Sequence, residues 1–303
     1  MNWPVWRSRS LSPVLVQGPL LQTFSIIDSM RAWCRQQSSE QRTIGLVPTM
    51  GALHEGHLSL VQAAKERCDH CVTTIFVNPT QFAAHEDLDH YPRPLEEDLA
   101  KLRQAGVEAV FLPSAAEMYP ERAGQVATSV QPSSVALPLE GVHRPDHFVG
   151  VATVVLKLFL AAPADFAFFG RKDFQQLCVI EHMVRDLNLP TQIVPCEIIR
   201  EPDGLAMSSR NRYLSKSERQ RALCLSRALQ ETEAAFHGGE RSPHRLQAIL
   251  ADHLTDCDSV DYAVVVDRES LLPVSEIEQN AVALIAARVG STRLIDNREL
   301  YVD

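Results

Sequence analysis

The stretch Thr43-Ile44-Gly45-Leu46-Val47-Pro48-Thr49-Met50-Gly51-Ala52-Leu53-His54-Glu55-Gly56-His57 decides the fold. Its first five residues form a short apolar run that ends at Pro48, as a buried strand does. A glycine-containing loop follows, and the spacing from His57 to Arg67 predicts a helix. Strand, tight loop and helix in that order open a βαβ unit.

The same alternation runs outward in both directions. Ser25–Gln37 reads as an amphipathic helix before the stretch. After it come a strand over Cys71–Val77, a helix over Pro94–Ala105 and a strand over Glu108–Leu112. A helix over Val151–Leu160, a strand over Asp165–Phe169, a helix over Asp173–Leu187 and a strand over Gln192–Val194 complete the series. Nearly all-apolar strands separated by helices predict an α/β fold: a doubly wound, Rossmann-like parallel sheet covered on both faces. The pattern then changes. Helices over Ser217–Phe236 and Pro243–Leu254 precede strands over Val260–Val266, Ala281–Ala287 and Thr292–Asp296, which predicts a second, smaller α+β domain. The expected division is a loose leader over residues 1–19, a nucleotide- and substrate-binding domain over 20–197 and a C-terminal domain over 198–303 that closes over the site.

Composition narrows the function. The chain has 303 residues, 45% hydrophobic and 22% charged, which suits a globular protein with a large core. A formal net charge of −9 disfavours a large nucleic-acid footprint. No uncharged apolar run approaches the roughly 18 residues of a membrane span. Seven cysteines, mostly far apart, favour free thiols and a cytoplasmic protein over a disulfide framework. Residues 1–19 make a poor signal peptide, because the apolar run is short and broken by prolines.

Chemistry concentrates in four segments. In open parallel sheets, ligands bind at the carboxyl ends of the strands. The first segment is Pro48–His57, where a helix start offers free N–H groups suited to phosphate and two histidines flank Gly56. That histidine spacing could hold zinc, but no cysteine or acidic partner set accompanies it. The second, Phe76-Val77-Asn78-Pro79-Thr80-Gln81-Phe82, puts neutral amides at a strand end. The third, Phe169-Gly170-Arg171-Lys172-Asp173-Phe174-Gln175-Gln176, places a glycine and two cations where a strand becomes a helix. Lys172 suits a polyphosphate; Asp173 reads equally well as a helix cap. The fourth, Asp203-Gly204-Leu205-Ala206-Met207-Ser208-Ser209-Arg210-Asn211, offers a second phosphate clamp or a capped serine-rich loop.

The first segment's His-x-Gly-His resembles the signature of the nucleotidylyltransferase superfamily. The four segments in this order resemble the pantothenate synthetase (pantoate–β-alanine ligase) family. Glu140-Gly141, Arg144-Pro145, His147-Phe148 and Arg293-Leu294-Ile295-Asp296-Asn297 also fit its pattern, and the resemblance covers roughly residues 20–299.

The resemblance implies ATP-dependent joining of (R)-pantoate to β-alanine through a pantoyl adenylate, giving pantothenate, AMP and diphosphate. It implies that His57, His54 and Lys172 are catalytic, donating to charge that develops on the transferring phosphate. It implies ATP contacts from Met50, Gly51, Ala52, Leu53, His54, Glu55, Gly56 and His57, from Gly170, Arg171, Lys172 and Asp173, and from Ile199, Met207, Ser208, Ser209 and Arg210. Gln81 and Gln176 match pantoate-holding positions, and Gln81 borders the β-alanine site. Mg²⁺ accompanies ATP, held largely by phosphate oxygens, with Glu97 and Asp98 either assisting or lying on a solvated helix face. A homodimer is implied as well.

The family has an acid where this chain has Arg171; the side chain is expected to face solvent, leaving Lys172 as the working cation. Cys68-Asp69-His70-Cys71 closes a helix and opens a strand, unlike a redox Cys-x-x-Cys, so it is read as structural. Two rival functions remain: another nucleotidylyltransferase acting on a phosphorylated substrate, and a nucleotide-binding sensor without catalysis. Two neutral glutamines at the acid end argue against the first, and intact His54, His57 and Lys172 against the second.

Overall fold

The structure, a computed structural model, describes residues 21–82, 88–120 and 128–302. The leader over residues 1–19 lies outside the described residues. Six strands, β1 (Gln22–Phe24), β2 (Ile44–Thr49), β3 (His70–Ile75), β4 (Ala109–Phe111), β5 (Phe166–Gly170) and β6 (Gln192–Cys196), form a parallel sheet in the order β1-β4-β3-β2-β5-β6. Between and around them lie α1 (Ile27–Ser39), α2 (Glu55–Arg67), α3 (Leu95–Ala105), α4 (Ala115–Met118), α5 (Glu140–His143), α6 (His147–Ala161) and α7 (Phe174–Asp186).

Alternation along β2 supplies both sides of the core. Ile44 and Leu46 join the cluster with α1, α6 and α7, whereas Val47 joins Leu60, Val61 and Leu102 on α2 and α3. Gly45 lets α2 approach closely: a Cβ there would lie 2.9 Å from the Phe168 ring and 3.1 Å from Ala64.

The strand order reverses between β2 and β5. The chain leaves β2 toward β3 and β4, and leaves β5 toward β6 on the other side. Connections that part in opposite directions open a crevice at the strands' carboxyl ends. The loops after β2 and β5 carry two of the four segments singled out above.

A second sheet is antiparallel, β7 (Ser259–Asp267), β8 (Ala281–Val289) and β9 (Thr292–Leu300), and packs on α8 (Lys216–His237) and α9 (Pro243–His253). It docks on the first unit through apolar contact, with Val266, Val282 and Leu284 in the same core cluster as α6 and α7, and through charge. Arg293 on β9 grips Glu140 on α5 with two bonds of 2.6 and 2.8 Å, and Tyr262 on β7 donates to the same carboxylate at 2.7 Å.

Several elements differ from the sequence reading, among them α4 and α5, which it did not foresee, and β9, which runs on from Asp296 to Leu300. β2 runs through Pro48 to Thr49. The Thr49 N–H and carbonyl both face β3, so Pro48 faces β5, whose register with β2 is confined to Gly45 and Leu46. A missing N–H there costs no ladder bond. β1 is a three-residue edge strand, too short and too exposed to show a period. α6 starts at His147, four residues ahead of its apolar repeat, because its first turn faces the crevice.

Candidate active site

The crevice between the β2 and β5 ends encloses a cavity of about 250 Å³. His54 and His57 stand at its β2 side, at the start of α2. His54 Nδ1 accepts the Gly56 N–H at 3.2 Å, and His57 Nδ1 accepts the His54 N–H at 3.4 Å, a reciprocal helix cap built from imidazoles. With Nδ1 accepting, the neutral rings carry their proton on Nε2. Burial, then the Lys172 charge, holds His54 down at about 4. Burial, then His54 itself, holds His57 at about 3. Both rings are therefore neutral N–H donors near pH 7. Gly56 is small for a reason: a Cβ would sit 3.0 Å from the His54 ring.

Residues 50–53, expected at the nucleotide, divide into two groups. Met50 lines the cavity. The Ala52 and Leu53 side chains are buried, and their N–H groups both donate at 2.8 Å to the carboxylate of Asp98 on α3. The Gly51 N–H goes to Thr49 Oγ1 at 3.1 Å, and Lys101 Nζ donates to the Leu53 carbonyl at 2.6 Å. The loop is thus tied back to α3, with Gly51 and Ala52 at φ +81° and +52°. Asp98, read from sequence as a metal aid or part of a solvated face, is 1% exposed and occupied by these amides. Glu97 and Glu55 are exposed.

At the end of β3, Asn78 is the buried centre of a turn. Its Oδ1 accepts the Tyr119 hydroxyl at 2.8 Å and the Thr80 hydroxyl at 3.0 Å, and its Nδ2 donates to Gln81 Oε1 at 3.2 Å. Gln81 Nε2 points at Met50 Sδ, 2.9 Å away. The Gln81 carbonyl takes His147 Nδ1 at 2.9 Å and Arg144 Nη2 at 3.4 Å, which places the Arg144/His147 pair behind the glutamine. Gln176 also lines the cavity. Its neighbour Gln175 faces away and holds Glu140 N–H and the Val135 and Pro138 carbonyls.

From the β5 end, Gly170, Lys172 and Asp173 reach the cavity; Lys172 Nζ lies 3.8 Å from Asp173 Oδ1. No atom lies within 4 Å of the space beside Gly170. Ile199, Met207, Ser208, Ser209 and Arg210 form the facing wall. A small hairpin brings Ile199 and Met207 together, with Met207 N–H on the Ile199 carbonyl at 2.9 Å and Arg200 bridged to Ala206. Ser208 then caps the next turn, accepting the Arg210 N–H at 3.3 Å.

Arg171, expected to face solvent, does not. Its side chain is only 19% exposed and turns to the second sheet, pairing with Glu299, donating to the Tyr301 hydroxyl at 3.0 Å and lying 3.4 Å from Glu197. Sequence reading missed this partner, as it missed Asp98 as a loop anchor and Tyr119 as a support of Asn78. In each case the partner is distant in the chain and carries no local signal. The Cys68/Cys71 reading stands: Cys68 ends α2, Cys71 lies in β3, and burial pushes their thiols up to about 11 and about 12.

Comparison with known proteins gives a consistent result. The sequence model of a family described as pantoate-beta-alanine ligase matches residues 22–299. A pantothenate synthetase from Rhodopirellula baltica is 74% identical over 282 residues, covering 93% of this chain and 100% of the relative. One from Heliobacterium modesticaldum is 50% identical over 278 residues, covering 91% and 98%. The crystal structure of pantothenate synthetase from Thermus thermophilus superposes with a TM-score of 0.87 at 42% identity, covering 93% of this chain and 100% of that one. A pantoate-beta-alanine ligase from Francisella tularensis, complexed with beta-gamma ATP and beta-alanine, superposes with a TM-score of 0.74 at 31% identity, covering 92% and 97%. A family match across nearly the whole described chain, on a crevice with this set of side chains, leads to one conclusion: the chain belongs to the pantoate–β-alanine ligase family.

Proposed function

We infer that the chain carries out its family's reaction, the ATP-dependent condensation of pantoate with β-alanine, in two steps within the crevice between β2 and β5. The observation that carries this reading is the set of side chains gathered on one cavity. Lys172, Ser208, Ser209, Arg210 and two imidazole N–H donors offer contacts for polyphosphate, and the amides of Gln81 and Gln176 offer neutral contacts for the acid, with Arg144 and His147 beside Gln81.

A carboxylate oxygen is a poor leaving group, so the acid is activated first. The pantoate carboxylate attacks the α-phosphorus of ATP, and diphosphate leaves. Lys172 and Arg210 offset the charge that builds on the phosphates, while His54 and His57 donate from Nε2. Gln81 and Gln176 orient pantoate oxygens without fixed charge, and Gln81 borders the β-alanine amine. That amine then attacks the acyl carbon, the C–O bond to AMP breaks, and the amine proton passes to the departing AMP phosphate. Gly170, Asp173, Ile199 and Met207 shape the adenosine side, and the backbone of 50–57 closes the β2 side.

Mg²⁺ enters with ATP. Among the described residues no three His, Cys, Asp or Glu side chains gather as a metal cage, and the Asp98 oxygens hold backbone amides. Phosphate oxygens would be the main Mg²⁺ ligands, with Asp173, the carboxylate beside Lys172, placed to assist, and the ion would supply further charge neutralisation on the polyphosphate. The domain division lies near residue 197, with the smaller unit closing over the crevice. A homodimer follows from the family resemblance, and a cytoplasmic location fits seven free thiols. Among the described residues no helix is long and apolar enough to cross a membrane.

ATP–pyrophosphate exchange tests the scheme. Exchange should require pantoate but not β-alanine, and a phosphorylated acid should not replace pantoate. Exchange that appears only with β-alanine present would overturn the two-step order.

A further inference from the structure

Of two neighbouring residues of β9, Asn297 reaches the Lys172 segment assigned to the ATP phosphates directly, and Asp296 reaches the hairpin before the other such segment through Arg200. Both are nearly fully buried, at 3% and 2% exposure. Asn297 Nδ2 donates to two consecutive main-chain carbonyls, that of Arg171 at 2.9 Å and that of Lys172 at 2.8 Å. Both amide hydrogens are thereby spent on the turn from which the Lys172 side chain projects. Asp296 holds Arg200 in a bidentate pair, with bonds of 2.7 and 3.0 Å. Arg200 Nη1 also donates to the Gly204 carbonyl at 3.1 Å, which locks the hairpin that presents Met207 to Arg210. The pair is itself cross-tied, because the Asn297 N–H donates to Asp296 Oδ1 at 2.8 Å.

We propose that Asp296 and Asn297 form a positioning bracket that sets the spacing between Lys172 and the Ser208–Arg210 wall, so that the second sheet fixes the geometry of phosphate binding in the first. Neither residue touches the cavity's reacting atoms; both act through others. The chemistry suits the task. Asparagine presents two donors in a rigid plane, which matches two carbonyls on one turn. A carboxylate held by a planar guanidinium fixes direction as well as distance. Backbone carbonyls of a turn have few alternative partners when buried, so loss of the amide lets the turn relax. Misplacement of a charged donor by about 1 Å is enough to cost about a hundredfold in rate. Gln81 lies on another element, whereas Gln176 stands on α7 directly after the braced turn, so pantoate binding is coupled to the Asn297 arm and insulated from the Arg200 arm.

This inference rests on the assignment of Lys172 and Arg210 to the phosphates, and the test separates the two. Asn297→Ala is measured for ATP–pyrophosphate exchange alone and in a Lys172→Ala background. The bracket requires exchange to fall about 10- to 100-fold in Asn297→Ala. In the Lys172→Ala background the further loss should shrink to less than about threefold. Equal losses in both backgrounds would mean that Asn297 only supports the fold, and no loss would mean that it positions nothing. A Lys172→Ala enzyme with normal exchange would instead sink the assignment of the phosphates. If Asn297→Ala does not fold, Arg200→Gln tests the other arm: KM for ATP should rise at least about fivefold with pantoate KM unchanged. A uniform change in both constants, or none, overturns the bracket.

Discussion

His54 and His57 lie ring against ring, with centroids 4.1 Å apart, and each spends Nδ1 on a backbone N–H at the start of α2. Two imidazoles this close cannot both be charged at small cost, and burial adds to the penalty. They are held at about 4 and about 3, below the usual 6.5. The unfolded chain takes up protons on both as pH falls through 6.5, whereas the native chain refuses them until its own lower values are reached. Stability is therefore unaffected by this pair above pH 6.5 and falls between pH 6.5 and the native values of about 4 and about 3, at no more than about 1.4 kcal/mol per pH unit for each ring. Proton NMR of the unliganded enzyme should show neither ring titrating between pH 5.5 and 8. A midpoint near 6.5 for either would show that the pair is not buried as described.

Substituting His57→Ala or Lys172→Ala should slow adenylation. Losing one preorganised donor costs about 2.7–4 kcal/mol at the transition state, or roughly 100- to 1,000-fold. His57→Ala also removes half of a helix cap, so its melting temperature should fall by the equivalent of about 1 kcal/mol. Single-turnover formation of the adenylate separates the two effects. A folded variant with near-normal adenylation takes that residue out of the mechanism.

Arg171→Glu would place a third carboxylate beside Glu299 and Glu197. The Arg171–Glu299 pair is partly buried, with 19% and 8% exposure. Its loss should cost more than the roughly 1 kcal/mol of an exposed pair and less than the roughly 3–5 kcal/mol of a fully buried one. The guanidinium is turned from the cavity, so KM for ATP should change less than about tenfold, with turnover intact. Thermal melts and steady-state kinetics on the same preparation check this; collapsed turnover at full stability contradicts it.

Gly150 lies in α6 against the turn that carries Gln81. A Cβ there would sit 2.4 Å from the Thr80 carbonyl oxygen. Gly→Ala inside a helix ordinarily stabilises by about 1 kcal/mol, but here the contact reverses the sign, because backbone must move. Gly150→Ala should lower the melting temperature and raise KM for pantoate more than KM for ATP. A stabilised variant with unchanged constants would refute the close approach.

Asp98→Ala should leave the Ala52 and Leu53 N–H groups without an acceptor. Each unpaired buried donor costs about 1–3 kcal/mol. The variant should lose stability and ATP affinity while the Mg²⁺ concentration for half-maximal rate stays within about twofold. A large shift in that concentration would restore the carboxylate to the metal.

The sequence by itself determined the alternation of strands and helices, the change to a second sheet after β6, and the four segments that face the crevice. These are legible because periodicity, caps and turn residues act over a few neighbours, and because the histidine, glutamine and lysine segments each close a strand. Tertiary structure alone decided how those residues are used. Asp98 reaches Leu53 across 45 positions, Asn297 reaches Lys172 across 125, and Arg171 reaches Glu299 across 128. No local pattern encodes such pairs; they exist because α3 packs beside the loop after β2 and because β9 docks against the turn after β5. The charge of His54 and His57 was likewise decided in the fold, since burial and the Lys172 field lower both values only once the chain has closed around them.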